Sequence, residues 1–355
     1  MPQGILQQPI ALDAMGGDHA PISVLHGAEQ ALIRHPGIKF LLFGDEARLT
    51  PILGTLPRLR GASEIIHTDQ AIGAEDKPSQ AVRKGRQSSM WLAIDAVDKG
   101  RACAIVSAGN TGALMAMSKL ILRTLPGVSR PAIAALLPTL RGECVMLDLG
   151  ANVESSAQDL YKFAIMGDAF ARAVLGQSRP KIGLLNIGAE ELKGRDEIKE
   201  AAGLLKASPL NLNFIGFVEG NDITMGKADV IVSDGFTGNI ALKTAEGVAR
   251  LIRTYLKDAF MSSPIAKIAG FLAMGAMKSV RDKLDDRKRN GAMFLGLNGI
   301  CVKSHGGADA FSFCNAISVA VELVAHNINT RIAQEITLAA QSSLALEAVV
   351  EGEAN

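Results

Sequence analysis

The residues best suited to chemistry sit in two near-copies of one decapeptide, Ile105-Val-Ser-Ala-Gly-Asn-Thr-Gly-Ala-Leu114 and Ile231-Val-Ser-Asp-Gly-Phe-Thr-Gly-Asn-Ile240, identical at six of ten positions. Each ends a short apolar run in Ser-x-Gly-x-Thr-Gly and then opens a helix-like stretch, the pattern of a strand-to-helix turn. The first amides of a helix have no acceptor within the helix, so such a turn holds anions. Two copies point to a site that grips oxyanion from more than one side. Ser107, Gly109, Thr111 and Gly112 would line it from the first copy, and Ser233, Gly235, Thr237 and Gly238 from the second. Glycine alone has a blander use, since it reaches backbone angles closed to other residues, but the shared hydroxyls add donors that geometry does not require. Neither copy fits Gly-x-Gly-x-x-Gly, and the chain contains no Gly-x4-Gly-Lys-Ser/Thr, so neither is a nucleotide signature.

Other polar side chains gather in similar turns. His305 is flanked by Lys303, Ser304 and two glycines, where an imidazole can move a proton or, as a cation, hold phosphate. Lys193 lies in Gly188-Ala-Glu-Glu-Leu-Lys-Gly194, beside two acids and between flexible joints. Asp13 and Asp18 frame Asp13-Ala-Met-Gly-Gly-Asp18; lacking a ligand-spaced histidine other than His19, they read as anchors of loop amides, and no metal site is expected. Cys103, Cys144, Cys301 and Cys314 are far apart and read as buried thiols, neither a metal set nor a nucleophile.

The elements that position these turns follow from composition and pattern. Apolar residues make up 48% of the 355 residues and aromatics only 4%, so the core is aliphatic, as in a parallel sheet covered by helices on both faces. A formal charge of +1 argues against nucleic acid as a partner. No run of eighteen apolar residues and no secretory leader pattern is present, and the expectation is a cytoplasmic protein. Apolar runs at about Ile10–Ala14, Ile38–Phe43, Glu64–His67, Ala102–Val106, Ala132–Leu137, Cys144–Leu147, Ile182–Leu185, Asn213–Phe217 and Val230–Val232 read as strands, and the stretch from Leu297 to Asp309 returns to strand and then a polar turn. Helical stretches alternate with them, which predicts an α/β fold with a mostly parallel sheet. The polar turns Asp13–Asp18, Ser107–Gly112, Asp148–Asn152, Asn186–Glu191, Glu219–Asp222 and Ser233–Asn239 all follow strands, so one shared cleft beyond the carboxyl ends is expected.

Residues 1–335 read as one catalytic domain and 336–355 as a flexible tail. A helical hairpin is expected over about 240–290, with Val248, Leu251 and Tyr255 on one stripe. Its apolar Ile265–Met277 stretch, with Lys267, Lys278, Arg281, Lys283, Arg287, Lys288 and Arg289, suits docking on a membrane surface or an acidic partner; the equally weighted reading is a dimer interface.

Taken together, Ala11-Leu-Asp-Ala-Met-Gly-Gly-Asp-His-Ala-Pro21, Ser107-Ala-Gly-Asn-Thr-Gly-Ala113, Asn186-Ile-Gly-Ala-Glu-Glu-Leu-Lys-Gly194, Val232-Ser-Asp-Gly-Phe-Thr-Gly-Asn239 and Lys303-Ser-His-Gly306 resemble the bacterial phosphate acyltransferase family over nearly the whole chain. The resemblance implies transfer of a long-chain acyl group from acyl carrier protein to inorganic phosphate, giving acyl phosphate for phospholipid synthesis. It also implies a three-layer fold similar to isocitrate and isopropylmalate dehydrogenases, a homodimer, no cofactor, peripheral contact with the inner face of the membrane, and a downstream glycerol-3-phosphate acyltransferase. Competing readings are a coenzyme A-dependent phosphate acetyl- or butyryltransferase, a decarboxylating dehydrogenase, and a non-catalytic membrane-docked scaffold.

Phosphate needs holding and orientation against a thioester carbonyl more than it needs a base. The tetrahedral oxygen would be stabilised by the Gly112 or Gly238 amides, Asn110, Asn239 or Lys193, and losing one such donor costs about 3–4 kcal/mol in the barrier. His305 would protonate the departing thiolate or position phosphate. His305→Ala and Lys193→Ala are each expected to lower acyl phosphate formation by on the order of tenfold or more without unfolding the chain; wild-type turnover in both variants removes these roles.

Overall fold

The computed structural model describes residues 8–353, with the side chains of 276–277, 279–284, 286 and 342–353 left aside. The apolar runs become eleven strands: β1 Ile10–Asp13, β2 Phe40–Gly44, β3 Ser63–His67, β4 Ala104–Ser107, β5 Ala132–Thr139, β6 Gly142–Leu147, β7 Lys181–Leu185, β8 Asn213–Val218, β9 Val230–Val232, β10 Ala292–Leu295 and β11 Ile300–Lys303. Every strand expected from the sequence forms. β10, a four-residue run between Gly291 and Gly296, is one the sequence reading does not contain.

Side chains alternate across the sheet, as the two-residue period of a strand demands. Leu12, Leu42, Val106, Leu147 and Val232 face a core covered by the helices Ile22–Arg34, Ala157–Val174 and Ala310–Ala325. Ala11, Leu41, Ile105, Met146 and Ile231 face the opposite core, under Ser89–Asp98 and Thr111–Ile121. The result is three layers, with a strand order of β3-β2-β1-β4-β11-β10-β5-β6-β9-β7-β8.

Three pairings break the parallel pattern, and they are consecutive: β11 with β10, β10 with β5, and β5 with β6. Strands β1 to β4, β11 and β5 therefore run one way, and β6 to β10 run the other. This corrects the expectation of a single row of carboxyl-terminal turns. The turns after β1 and β4 leave in one sense and those after β6, β7, β8 and β9 in the opposite sense. The reversal comes from two hairpins, β5–β6 and β10–β11, standing where helical crossovers would have preserved direction. Five strand steps separate β4 from β9, and a twist of about 20–25° per step turns the two ends roughly a right angle relative to each other.

The helices Gly235–Met261 and Pro264–Leu284 form the projecting hairpin, joined through Ser262 and Ser263 and packed against each other. Only Gly235 and Gly238 of the first are buried, while Val248, Leu251 and Tyr255 form an exposed stripe. The tail expected from 336 begins inside the helix Ile328–Glu353, where Ile336 and Ala339 are buried. Among the described residues, no single helix is long and apolar enough to cross a membrane.

The hairpin is rooted by close backbone approach. A Cβ on Gly238 would lie 1.9 Å from the Asp148 carbonyl oxygen, whereas one on Gly247, in the same helix, meets nothing within 4 Å. Gly238→Ala is expected to cost about 1–3 kcal/mol and Gly247→Ala to gain up to about 1 kcal/mol in denaturant unfolding; equal effects would mean that the root is loosely packed.

Candidate functional site

The first cluster is built on Asp13, the last residue of β1. Its carboxylate is buried and accepts hydrogen bonds from Ser89 Oγ at 2.6 Å and from Ser107 Oγ, at the end of neighbouring β4, at 2.7 Å. Ser107 Oγ in turn accepts from the Gly109 amide at 3.0 Å. Burial pushes the Asp13 carboxyl above its usual range, against the pull of Ser107, Ser89, the Met15 amide and Lys303. Asp13 thus ties the end of β1 to Ser89 and Ser107, and the Ser107 hydroxyl proton is spent on that carboxylate.

Beyond Ser107, Asn110 caps the helix Thr111–Ile121 by accepting from the Ala113 amide. Both of its amide protons go to carbonyls, Ala74 O at 2.7 Å and Asp76 O at 3.0 Å. The structure makes Asn110 a cap and loop clamp, with both side-chain amide protons engaged. What stays open is the exposed helix start itself, the Thr111 and Gly112 amides with the Thr111 hydroxyl.

Lys303, at the end of β11 beside β4, is the residue whose weight sequence reasoning missed. Its Nζ donates to Ala108 O at 3.4 Å and to Ser304 O. Burial lowers it to about 8, against the attraction of Asp13, Cys301 and Asp18; Lys243 adds repulsion. That repulsion matters for architecture, because Lys243 belongs to the hairpin helix on the oppositely directed half of the sheet. Next to Lys303, Asn290 accepts from the His305 amide at 2.8 Å and donates to Ser304 Oγ at 2.7 Å. His305 is exposed, and its Nδ1 accepts from the Gly307 amide at 3.2 Å, so in the neutral ring Nε2 carries the proton. Asp18 closes the loop through its amide to Gly306 O at 2.9 Å.

The second copy of the decapeptide is used differently. Asp148, buried at the end of β6, collects the amides of Ile133, Gly150, Ala151 and Asn152 and the Asn152 side chain. Ser233 Oγ reaches the Asp148 carbonyl at 3.5 Å and Gly238 packs on it. The helix cap here is Asp234, two places earlier in the motif than Asn110 in the first copy. Asp234 takes the Thr237 amide at 2.8 Å and the Thr237 hydroxyl at 3.0 Å, and pairs with Arg195. A carboxylate of this chain, only 4% exposed, already occupies this helix start. The two copies thus differ in local structure: in the second, the Thr237 amide and hydroxyl are taken by Asp234 and the Gly235 amide by Asn152 O.

The remaining candidates scatter. Asn239 faces a 360 Å³ pocket with Gly150, Asn152, Val153, Phe236, Ile240 and Lys243. Lys193 is exposed and bonded to Glu190 at 2.9 Å, which holds it above its usual range. Of the docking set, Lys267 and Lys278 are exposed, and Lys288 is exposed with an interaction of its own. Arg287 is held by Asp285 and Asp309, and Arg289 by Glu143 at 2.7 Å, so neither is available to a partner as expected. The side chains of Arg281 and Lys283 lie outside the described residues. Burial pushes the Cys144 and Cys301 thiols up to about 12, which removes them as nucleophiles at neutral pH.

With this geometry in hand, likeness to known proteins is informative. Residues 9–331 match the family described as fatty acid synthesis protein. A relative from Paramagnetospirillum magneticum named phosphate acyltransferase is 57% identical over 326 residues, 92% of this chain and 93% of that one. Among solved structures, a phosphotransacetylase from Streptococcus pyogenes superposes with a TM-score of 0.61 at 17% identity, covering 90% of this chain and 95% of its own. A protein described as a 4-hydroxythreonine-4-phosphate dehydrogenase from Salmonella typhimurium gives 0.50 at 14% identity, covering 90% and 100%. At these identities the two structures speak for the fold alone: it is shared with a dehydrogenase, as the resemblance implied.

The Lys303 environment fixes a pH dependence. Unfolded, this ammonium titrates near 10.5; folded, near 8. Between those values the unfolded chain binds more protons, so Lys303 makes stability rise with pH from about 8 to 10.5. Lys303→Met is expected to flatten that limb of the stability curve, measured by urea unfolding at a series of pH values; an unchanged slope contradicts the buried assignment.

Proposed function

Because the chain belongs to the family described as fatty acid synthesis protein and is an enzyme of the acyltransferase class, we propose that it transfers a long-chain fatty acyl group from acyl carrier protein to inorganic phosphate, releasing acyl phosphate for phospholipid synthesis. The observation that carries the reading is the open start of the helix Thr111–Ile121 beside Lys303 and His305. Two bare amides, a hydroxyl, an ammonium and an imidazole N–H supply donors of the kind a phosphate dianion requires. The buried Asp13 fixes the turn without sitting at the helix start itself, so the anion seat stays positive.

In this scheme a phosphate oxygen attacks the thioester carbonyl, the carbon–oxygen bond forms, and the carbon–sulfur bond breaks as the tetrahedral intermediate collapses. The proton required by the leaving thiolate comes from solvent or from His305 as the imidazolium, a form in which Nδ1 gives up the Gly307 hydrogen bond and which is left neutral after the transfer. Lys303 and Lys243 lower the energy of the negative charge that accumulates on the phosphate and the carbonyl oxygen. No acyl-enzyme is needed, in line with the high thiol pKa values. The exposed apolar hairpin residues, among them Ile265, Ile268, Phe271 and Leu272, with Lys267 and Lys278, suit a homodimer or the inner membrane surface, where the product would pass to a glycerol-3-phosphate acyltransferase.

Purified protein supplied with phosphate and either palmitoyl-acyl carrier protein or acetyl-coenzyme A separates the readings. The expectation is phosphate-dependent loss of the palmitoyl thioester, with acetyl-coenzyme A slower by on the order of a hundredfold. Preference for the acetyl donor would move the chain to the short-chain phosphotransacetylases, and no turnover of either would leave a scaffold.

A further inference from the structure

The chain returns from the hairpin to the sheet through a short strap. Beyond Leu284 it makes a single 3-10 turn, Asp286–Arg289, and Asn290 and Gly291 then lead it into β10. The strap is fastened at several points. Arg287 is held by Asp285 and Asp309, its carbonyl accepts from Asn315 Nδ2 at 2.7 Å, and Arg289 pairs with Glu143 of β6. Gly291, at φ of +125°, runs so close to the helix Ala310–Ala325 that a Cβ on it would lie 3.0 Å from Ala316 Cα. Asn290 is therefore delivered to one place by a fixed backbone.

Its side chain turns away from the strap and grips the turn that follows β11. Oδ1 accepts from the His305 amide at 2.8 Å, and Nδ2 donates to Ser304 Oγ at 2.7 Å and to Ser312 O at 2.8 Å. These partners admit one orientation, because the flipped amide would set its NH2 against the His305 N–H and its oxygen against the Ser312 carbonyl. Ser304 is fully buried; its own amide donates to Ser107 O at 2.8 Å, and its carbonyl accepts from the Lys303 ammonium. One half-buried side chain thus fixes the peptide that holds the ammonium and the residue that carries the imidazole. With alanine at 290 the strap would keep its contacts through Arg287, Arg289 and Gly291. What alanine would release is the turn.

We propose that Asn290 is a positioning residue for phosphate: by holding Ser304 and the His305 backbone, it sets the Lys303 ammonium and the imidazole against the open start of the helix Thr111–Ile121. The inference rests on the phosphate seat proposed above. Asparagine suits this task where its charged isostere does not. Aspartate would keep the acceptor for the His305 amide but lose both donors, placing a carboxylate oxygen against the Ser312 carbonyl and a negative charge in the turn that meets the dianion.

Inorganic phosphate serves as the probe, titrated calorimetrically into the full chain and varied in turnover assays. Asn290→Ala and Asn290→Asp are each expected to weaken phosphate on the order of tenfold, in affinity and in KM, with KM for the acyl thioester unchanged. Asn315→Ala is the control: it gives up the bonds to the Arg287 carbonyl and to Arg34, loosening the same strap without touching Ser304 or His305. It should lower the urea midpoint and leave phosphate affinity at the wild-type value. Unchanged phosphate affinity in both Asn290 variants overturns the assignment, and so does an equal loss in Asn315→Ala, which would make Asn290 one more fastening of the strap. If Asn290→Ala does not fold, the isosteric Asn290→Asp carries the test. Because calorimetry needs no turnover, weakened phosphate binding in the Asn290 variants with no acyl transfer by the wild type would count against the proposed reaction alone, and acyl transfer with phosphate affinity unaltered by these variants against the role of Asn290 alone.

Discussion

A carboxylate taken out of water at the end of a strand must be surrounded by donors, and this requirement shapes both halves of the molecule. Asp13 draws in two serine hydroxyls, and Asp148 draws in four backbone amides and an asparagine side chain. The glycine-rich turns take their course from those demands. Gly109 lies over Asp13 and Gly235 over Asp148: a Cβ at 235 would lie 2.4 Å from the Asn152 carbonyl oxygen and 2.7 Å from the Asp148 carboxylate, while one at 109 would sit 3.2 Å from Asp13 and press on the Met90 methyl at 2.6 Å. Each buried acid costs stability taken alone; surrounded by donors, it locks a loop that would otherwise sample many conformations.

The twin decapeptides show how little separates an open anion seat from a closed one. Both keep Ser, Gly, Thr and Gly in the same order, yet Ala108 in one stands where Asp234 stands in the other. Aspartate is among the strongest helix caps, and where it stands the helix starts two residues earlier in the motif. In the second copy the chain supplies its own anion and then neutralises it with Arg195. In the first, the cap is the neutral Asn110, and the positive end of the helix remains unpaired.

Much of this was legible in the sequence because it is local. Apolar runs ending in polar glycine turns identify nearly every strand, and the Asp13 anchor could be read from its turn. Strand direction could not, since it depends on partners far apart in the chain; β10 finds β5 through Met293 opposite Ala134. The same holds for charge. The run from Arg281 to Arg289 reads as part of a basic docking surface, but Arg289 is committed to Glu143 and Arg287 to Asp309, contacts that no spacing rule reveals. Lys303 closes an apolar strand beside His305, and only the pairing of β11 with β4 shows that it is buried near Asp13. The difference between Ala108 and Asp234 was visible throughout, and capping preference alone could have distinguished the two copies.

The hairpin helix Gly235–Met261 springs from the turn that Asp148 organises, and its two buried residues are the glycines of that turn. At 1.5 Å per residue its 27 residues reach about 40 Å from the sheet, so a tilt of about 10° at the base sweeps the tip through roughly 7 Å. Such a beam, clamped at one end, works as a lever in both directions. A load on the distal apolar surface is delivered as torque to Asn239 and Lys243, one to two turns above the clamp, and rearrangement around those side chains is magnified severalfold at the far end.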